Sequence, residues 1–347
     1  MKRKTAFITA LALCTSSITA FAETNDGTSP TEIQVSANYT DSKYVTVSAD
    51  IKWDDMTFEY TESGKVWNTK THQYEATAGG WSTESKEISV TNHSNADIKA
   101  DLAFTSNIEG LKGEFSKSKI KLVTAEGTTP AEAPADSAKF SVSGTAIKSD
   151  SALGNITVTI TATTDAYGYT LVGSEAEMNE ALEGGNAKVR LTNDLTDVSI
   201  NMTDGSVVDL NYFTINGSIY IDNTGDYTIR NGKIYKNSSP LYVHTGTLNI
   251  ENCEIETTSG IALDNLFGTV NIRNCMIKNT GGGKALHNSD GTVNISENVN
   301  IEGEIVNNKN MNVYSGRYNF DPTEYVDANN LTVTQEDEYW VVNNNRR

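Results

Sequence analysis

The residues that could carry chemistry in this sequence are cysteines, histidines and many acids. Cys253 and Cys275 each follow an asparagine, in the similar stretches GTLNIENCEI and GTVNIRNCMI that begin 22 residues apart. The histidines are scattered, at positions 72, 93, 244 and 287, and no H-E-x-x-H or G-x-S-x-G string is present. A glycosidase needs two carboxyls facing one cleft, and only Asp264 and Asp290 fall in comparable turn segments, the latter in the tight-turn sequence SDGT. The sequence therefore predicts no catalytic residue, no metal ligand and no cofactor.

The two cysteine-containing stretches belong to a longer repeat. Alignment of five similar segments places Ile229, Ile250, Ile272, Ile295 and Val313 at one position, with separations of 21, 22, 23 and 18 residues. A period near 22 with two or three short strands per repeat indicates one turn of a parallel β-helix. A leucine-rich repeat has a similar period, but its L-x-x-L-x-L-x-x-N frame is missing.

The asparagine before each cysteine marks a predicted bend in the coil. Asn231, Asn252 and Asn274 would form a column there, because asparagine tolerates the left-handed conformation and its amide can hydrogen-bond along the stack. Cys253 and Cys275 would occupy the crowded position after the bend. Their spacing permits a disulfide, but parallel neighbours would strain it, so two buried thiols are favoured.

Three columns of outward-pointing residues are predicted on the coil. Within each column, residues on successive rungs would lie about 4.8 Å apart. The first two alternate in charge, which makes adjacent rungs attract weakly, so the change from Glu251 to Arg273 needs no catalytic meaning. The third is uncharged and could hydrogen-bond a glycan, although a simply solvated column is the favoured interpretation. The columns are Arg230, Glu251, Arg273 and Ser296; Glu256, Lys278 and Glu302; and Asn249, Asn271, Asn294 and Asn312.

The part of the chain before the repeats has a different periodicity. From residue 32 to 162 apolar residues fall at every second position, as in YVTVSADIKW, and turn residues separate the runs. Such alternation predicts half-buried antiparallel strands in a β-sandwich. Its aromatic residues include Trp67 and Trp81, which could stack on sugar rings or anchor a partner. The favoured interpretation is that they fill the sandwich core and a hairpin.

A single convincing helix follows a linker at residues 163–170. Ser174 and Glu177 form a capping box, and Gly184-Gly185 ends the helix. A short amphipathic helix suits the plug that a stack of repeats needs at its first rung. The predicted architecture is therefore all-β: a sandwich at 32–162, then a capped parallel β-helix at 171–342.

The first 22 residues are predicted to be a cleaved signal peptide. MKRK is a positive n-region, a short apolar stretch follows, and Ala20-Phe21-Ala22 has the small-x-small form of a cleavage site. Without the three basic leader residues the net charge is 24 minus 45, or −21, which argues against nucleic-acid binding. No later segment is apolar enough to predict membrane insertion.

Three parts of the chain resemble known protein families. The repeats and helix, about residues 170–320, resemble right-handed parallel β-helix proteins of the pectate-lyase-like superfold. The stretch around WDDMTFEYTESGKVWN and ISVTNHSNADIKADLAF resembles an immunoglobulin-like module of secreted Gram-positive surface proteins. The closing SGRYNFDPTEYV resembles the G-x-F-x-x-D-P-x-x-Y-V ending of secreted proteins that carry such coils, and this implies a cap at the far end.

The resemblance leaves the activity open. Polysaccharide-cleaving members carry clustered aspartates with His-Gly and Arg-Ile-Lys strings, or calcium-binding carboxylates with a basic residue, and neither string occurs here. We therefore expect a bacterial, non-enzymatic, adhesin-like protein that is secreted or held noncovalently on the cell surface. Its partner would be an extracellular polysaccharide or a host or cell-surface protein. The alternatives are a divergent polysaccharide lyase or glycoside hydrolase, and a structural spacer.

Overall fold

The computed structural model describes residues 4–10, 45–314, 316–327 and 330–344. The chain divides into two compact units, residues 1–167 and 168–347. The division falls inside the stretch 163–170 that was predicted to be a linker. Strands dominate both units.

The first unit contains twelve strands in its described part. They are β1 (Lys4–Ala10), β2 (Val47–Trp53), β3 (Tyr60–Thr61), β4 (Gly64–Asn68), β5 (Gln73–Thr77), β6 (Gly80–Trp81), β7 (Lys86–Asn92), β8 (Ile98–Ser106), β9 (Leu111–Phe115), β10 (Lys119–Leu122), β11 (Ala135–Gly144) and β12 (Gly154–Ala162). One antiparallel sheet has the order β1-β2-β7-β11-β9 and a second has the order β10-β8-β12, while β3-β6 and β4-β5 form separate two-stranded sheets.

The two larger sheets share one hydrophobic core, as the alternating pattern predicts. Ile51 and Val90 from the first sheet and Ala100 and Leu102 from the second belong to the same buried cluster. Period-two patterning sends these residues to one face of each strand. The antiparallel sheets are thus confirmed, and the immunoglobulin-like identity of the unit remains a prediction.

Part of the predicted signal peptide lies in this unit. Lys4–Ala10 pairs antiparallel with Val47–Trp53 at the edge of the first sheet. The other residues of the stretch 1–22, and residues 32–44 of the predicted sandwich, lie outside the described residues. Export and cleavage remain predictions.

The second unit begins with strands and one helix and continues as a coil of about seven turns. Its elements are β13 (Thr170–Val172), α1 (Glu175–Leu182), β14 (Lys188–Leu191), β15 (Leu195–Asn201), β16 (Val207–Asp209), β17 (Thr214–Ile221), β18 (Asp226–Lys236), β19 (Leu241–Val243), β20 (Thr247–Thr257), β21 (Ile261–Asn265), β22 (Thr269–Arg273), β23 (Met276–Asn279), β24 (Lys284–Asn288), β25 (Thr292–Ser296), β26 (Asn300–Glu302), β27 (Glu304–Asn307), β28 (Asn310–Val313), β29 (Gly316–Tyr318), β30 (Leu331–Glu336) and β31 (Tyr339–Asn344), with a 3-10 turn at Thr323–Tyr325.

These strands build the right-handed parallel β-helix predicted from the repeat. The first parallel sheet ends in the order β18-β20-β22-β25-β28, and it holds the aligned isoleucines. The second contains the later halves of β18 and β20 with β23 and β26. The third runs β17-β19-β21-β24-β27.

The register of the first sheet is the one predicted from the 22-residue spacing. Ile229 pairs with Ile250, Ile250 with Ile272, Ile272 with Ile295, and Ile295 with Val313. All five side chains are buried. Burying each isoleucine removes its apolar surface from water, which is worth about 1.5–3 kcal/mol per side chain.

The predicted helix is present, with Ser174 as its N-cap. The Ser174 hydroxyl accepts a hydrogen bond from the Glu177 backbone N–H, while the Glu177 carboxylate accepts one from the Gly173 N–H. Met178 and Leu182 are buried in the same core as the coil. That the helix closes the first rung remains a prediction.

The isoleucine file gives the first testable expectation. We expect Ile250→Ala to destabilise the β-helix by about 3 kcal/mol. The substitution leaves a cavity in the core, and the paired rungs on both sides of it prevent the surrounding side chains from closing it. Equilibrium urea unfolding followed by circular dichroism measures the change. Phe267→Ala, at an exposed aromatic of the same unit, is the control, with an expected change below about 0.5 kcal/mol. Equal effects of the two variants would contradict the stacked interior.

Candidate functional site

The outer face of the first parallel sheet carries a ladder of asparagine amides. Asn271 Nδ2 donates to Asn249 Oδ1 at 2.8 Å, Asn294 donates to Asn271 at 2.8 Å, and Asn312 donates to Asn294 at 2.9 Å. Asn249 in turn donates to the Tyr227 carbonyl. An amide has two donors and two acceptor sites, so each rung of the ladder keeps hydrogen-bonding capacity that can face outward.

A column of threonines runs beside this asparagine ladder. Thr247, Thr269 and Thr292 pair in register on β20, β22 and β25, two positions before the asparagines. The threonines and the first three asparagines are half-buried. The two columns together form a regular strip of uncharged hydrogen-bonding groups, repeated about every 4.8 Å.

A column of alternating charge lies on the other side of the asparagines. It is longer than the sequence analysis predicted, because Arg190 and Asp209 precede Arg230 in the same register. Ion pairs link Arg190 to Asp209 at 3.1 Å, Arg230 to Asp209 at 3.3 Å, and Arg273 to Glu251 at 3.0 Å. The charged residues of this column therefore form ion pairs with one another.

Asp209 is the most buried acid of that column, with a side chain only 5% exposed. Burial alone would raise the pKa of its carboxyl, but hydrogen bonds from Asn231, the Asn211 backbone and Arg190 outweigh it, and the pKa is lowered. The carboxylate thus holds its neighbours in place, and its lowered pKa is the opposite of what a general acid needs.

The predicted bend column is formed by asparagines in the left-handed region. Asn231, Asn252 and Asn274 have φ angles of 60°, 53° and 51°. Asn252 Nδ2 donates to Asn231 Oδ1 at 3.1 Å, whereas Asn274 donates to the Glu297 carboxylate at 2.6 Å. At the bend the amides therefore link Asn252 to the rung before it and Asn274 to the rung after it.

Cys253 and Cys275 lie just after this bend and are free and buried. The Cys275 sulfur accepts from the Cys253 backbone N–H at 3.4 Å. Burial raises the pKa of both thiols, that of Cys275 to about 11. Neutral thiols in this position are poor nucleophiles and poor metal ligands.

The second parallel sheet carries a four-residue charge cluster. Lys233 and Lys278 each contact both Glu254 and Glu256, with Lys278 Nζ at 2.7 Å from Glu254 and Lys233 Nζ at 3.1 Å from it. The hydrogen bond from Lys278 lowers the pKa of the Glu254 carboxyl despite its partial burial. Both acids are thus ion-paired with the same two lysines.

The third parallel sheet brings together an acid and a histidine that the sequence analysis left apart. Asp264 and His287 pair in register, and His287 Nδ1 lies 2.7 Å from Asp264 Oδ1. In the same column Tyr220 and Tyr242 stack with ring centroids 5.0 Å apart. The signal that could have found this pair is its spacing of 23 residues, close to one turn of the coil.

A third asparagine ladder, which was not predicted from the sequence, lies at the end of this sheet. Asn265 donates to Asn288 at 2.9 Å and Asn288 to Asn307 at 2.7 Å. Asn265 and Asn288 are fully buried and also bind backbone carbonyls of the following turn. This ladder is out of reach of a large ligand and is structural.

The two tryptophans proposed as ligand-binding residues lie in different surroundings. Trp81 is partly buried, contacts the Tyr60 ring edge to face and donates to the Thr145 carbonyl. Trp67 is 48% exposed on the β4-β5 hairpin, where it packs against its cross-strand partner Tyr74. Trp67 is thus the more exposed of the two, and a binding role for either tryptophan remains a prediction.

Comparison with known proteins agrees with the coil. A family model described as the right-handed beta helix region matches residues 147–300, which is 154 of the 347 residues. No curated protein and no solved structure matches the chain. Among the described residues no helix is long and apolar enough to cross a membrane, and no group of three or more His, Cys, Asp or Glu could hold a metal ion.

The charge column predicts a pH-dependent stability. Because the folded pKa of Asp209 is lowered, its contribution is present above the ordinary aspartate pKa of about 4 and is lost as the pH falls through the folded value. We expect Asp209→Asn to cost about 2 kcal/mol near pH 7 and progressively less in acid. Urea unfolding of both proteins from pH 7 to 3 measures this, and a pH-independent difference would refute the ionic role.

Proposed function

We propose that this chain is an extracellular, non-catalytic binding protein whose β-helix presents its uncharged outer strip to a polysaccharide. The strip of Thr247, Thr269, Thr292 and the asparagine ladder carries the proposal. It supplies donors and acceptors at every rung, and sugar hydroxyls are hydrogen-bonding groups of both kinds. An extended sugar chain is also a repeating structure, so regular rungs can contact successive units.

The charged residues of the coil support binding over catalysis. The acids of the alternating-charge column and of the four-residue cluster form ion pairs with Lys or Arg, and the pKa values of the Asp209 and Glu254 carboxyls are lowered. Cleavage of a glycosidic bond needs one carboxyl kept protonated and a second one facing it across the bond. The predicted signal peptide supports an extracellular location, where a polysaccharide or a surface protein would be the available partner.

The asparagine ladder is the part of this proposal that a variant can test. We expect Asn271→Ala to weaken polysaccharide binding about tenfold, because it removes one contact and misaligns the amides on both sides. Affinity electrophoresis on gels containing neutral or acidic polysaccharides measures the retention.

Asn308→Ala provides the matched control, since Asn308 is exposed on a turn outside the strip. Its retention should equal that of the unaltered protein, and circular dichroism should show both variants folded. If the unaltered protein is not retained by any polysaccharide, binding of a surface protein replaces glycan binding as the proposal.

One observation favours a second function, a divergent polysaccharide lyase or hydrolase. Asp264 holds His287 through Nδ1, which leaves Nε2 able to exchange a proton with a bound substrate. An aspartate-oriented imidazole is a common general base. The stacked Tyr220 and Tyr242 beside it could line such a site.

Assays of turnover separate the two functions. We expect no new reducing ends and no unsaturated products when the protein is incubated with neutral or uronic-acid polymers, with and without calcium. Turnover that disappears in His287→Ala and persists in His244→Ala would establish the enzyme instead.

A further inference from the structure

The bend between the first and second parallel sheets is longer at one rung than at those that follow. After Arg230 the bend holds two residues, Asn231 and Gly232, and the next two rungs also hold two. After Asp209 it holds four, residues 210–213. The bend after Ser296 holds three, residues 297–299, so residues 210–213 form the longest of the bends from Asp209 onward.

This longer bend rests directly on the rung above it. A Cβ atom at Gly232 would lie 2.4 Å from the Leu210 Cβ and 2.6 Å from the Phe213 carbonyl oxygen. Only glycine leaves room for so close an approach. The Tyr212 backbone N–H also donates to the Asn231 carbonyl at 2.6 Å. The loop is thus held in a defined position.

Tyr212, at the tip of this loop, has an unfavourable backbone conformation, and burial of its side chain does not offset the cost. Its φ angle is 66°, in the left-handed region that bulky residues avoid. The residue is nevertheless 86% exposed, so the ring gains little from burial. Strain of this kind that persists in a fold is a mark of functional positions.

The ring stands at one end of a shallow groove along the bend, with a volume of about 590 Å³. Asn252 and Asn274 line one side, and Glu254 and Met276 line the other. The buried Cys253 and Cys275 lie beneath. The groove therefore combines amide groups along its length with an aromatic face at its end.

The charges around the groove select against an anionic ligand. Lys233 is the basic residue that lines it, and its Nζ already contacts Glu254 and Glu256. The chain without its predicted leader carries a net charge of −21. An acidic polymer would be repelled, whereas a neutral sugar meets hydrogen-bonding groups and a ring on which its apolar face can stack.

We propose that Tyr212 and this groove form a binding site for a neutral glycan, with Tyr212 as the stacking platform and Asn252 and Asn274 as hydrogen-bonding partners. The proposal rests on the glycan-binding function proposed above and adds to it the ligand class and a second surface. The groove is a different surface from the strip of Asn271, because the alternating-charge column separates them.

Isothermal titration calorimetry of the full chain tests the site. The probes are cellohexaose, xylohexaose and mannohexaose as neutral ligands and hexagalacturonate as the acidic one. We expect at least one neutral hexasaccharide to bind and hexagalacturonate not to bind. Tyr212→Ala should weaken the neutral ligand about tenfold, while Tyr212→Phe, which keeps the ring face, stays within about twofold.

Two further variants make the outcome decisive. Tyr212→Gly should lose binding to the same extent with an unchanged or raised Tm, because glycine accepts the positive φ. Phe267→Ala, at an exposed aromatic away from the groove, should bind normally. Equal binding by Tyr212→Ala and the unaltered protein overturns the site, as does binding of hexagalacturonate alone.

Asn271→Ala separates failure of this site from failure of the proposed function. If Asn271→Ala loses the neutral ligand and Tyr212→Ala keeps it, the outer strip binds glycan and the groove does not. If no hexasaccharide and no polysaccharide binds, both proposals fall. Loss in Tyr212→Ala with full binding in Asn271→Ala assigns the hexasaccharide to the groove.

Discussion

The second unit depends on one interaction: aliphatic side chains on successive rungs stack in register inside the coil. Ile229, Ile250, Ile272 and Ile295 form the clearest file, and each is buried against its counterparts. Because side chains alternate along a strand, a file of inward residues also determines which residues point out. A slip of one position would reverse every face. The hydrophobic file therefore sets the position of every polar column.

The polar columns follow different rules according to their chemistry. A charged side chain repels an identical one about 4.8 Å away, so the column through Asp209 and Glu251 alternates in sign. An amide carries both donor and acceptor groups, so asparagine can repeat at every rung, as at Asn249, Asn271 and Asn294. Uniform columns on this coil are uncharged for that reason, whether they are half-buried on the outer face, as at Asn249 and Asn271, or fully buried, as at Asn265 and Asn288.

The bends of the coil can differ in length without disturbing the stacked isoleucines inside it. Residues 210–213 lengthen one bend and expose Tyr212, while the strands on both sides keep their pairing. Loops held by a rigid scaffold commonly carry binding residues. The same division between a constant interior and variable edges explains why the repeat pattern identifies the fold and leaves the ligand open.

Much of the architecture was determined by the sequence itself. The 22-residue period placed Ile250 above Ile229, and the spacing of Ser174 and Glu177 predicted the helix start. These features rest on local or strictly periodic rules, so they can be read without coordinates. The residues of the first-sheet columns from Arg230 onward were predicted for the same reason, because the aligned motif marks each of these strands although the turn length varies from 18 to 23 residues.

Where the turns differ in length, only the tertiary structure decided which residues contact each other. The third sheet pairs Leu241 with Leu263 and Leu263 with Leu286. Alignment of the sequence segments PLYV, GIAL and KALH puts Leu241 opposite Ile261, which is wrong because the preceding loops vary in length. The contact of Asp264 with His287 follows from the observed register. The exposure of Tyr212 depends on how its loop packs over Gly232, and spacing in the chain carries no information about packing between rungs.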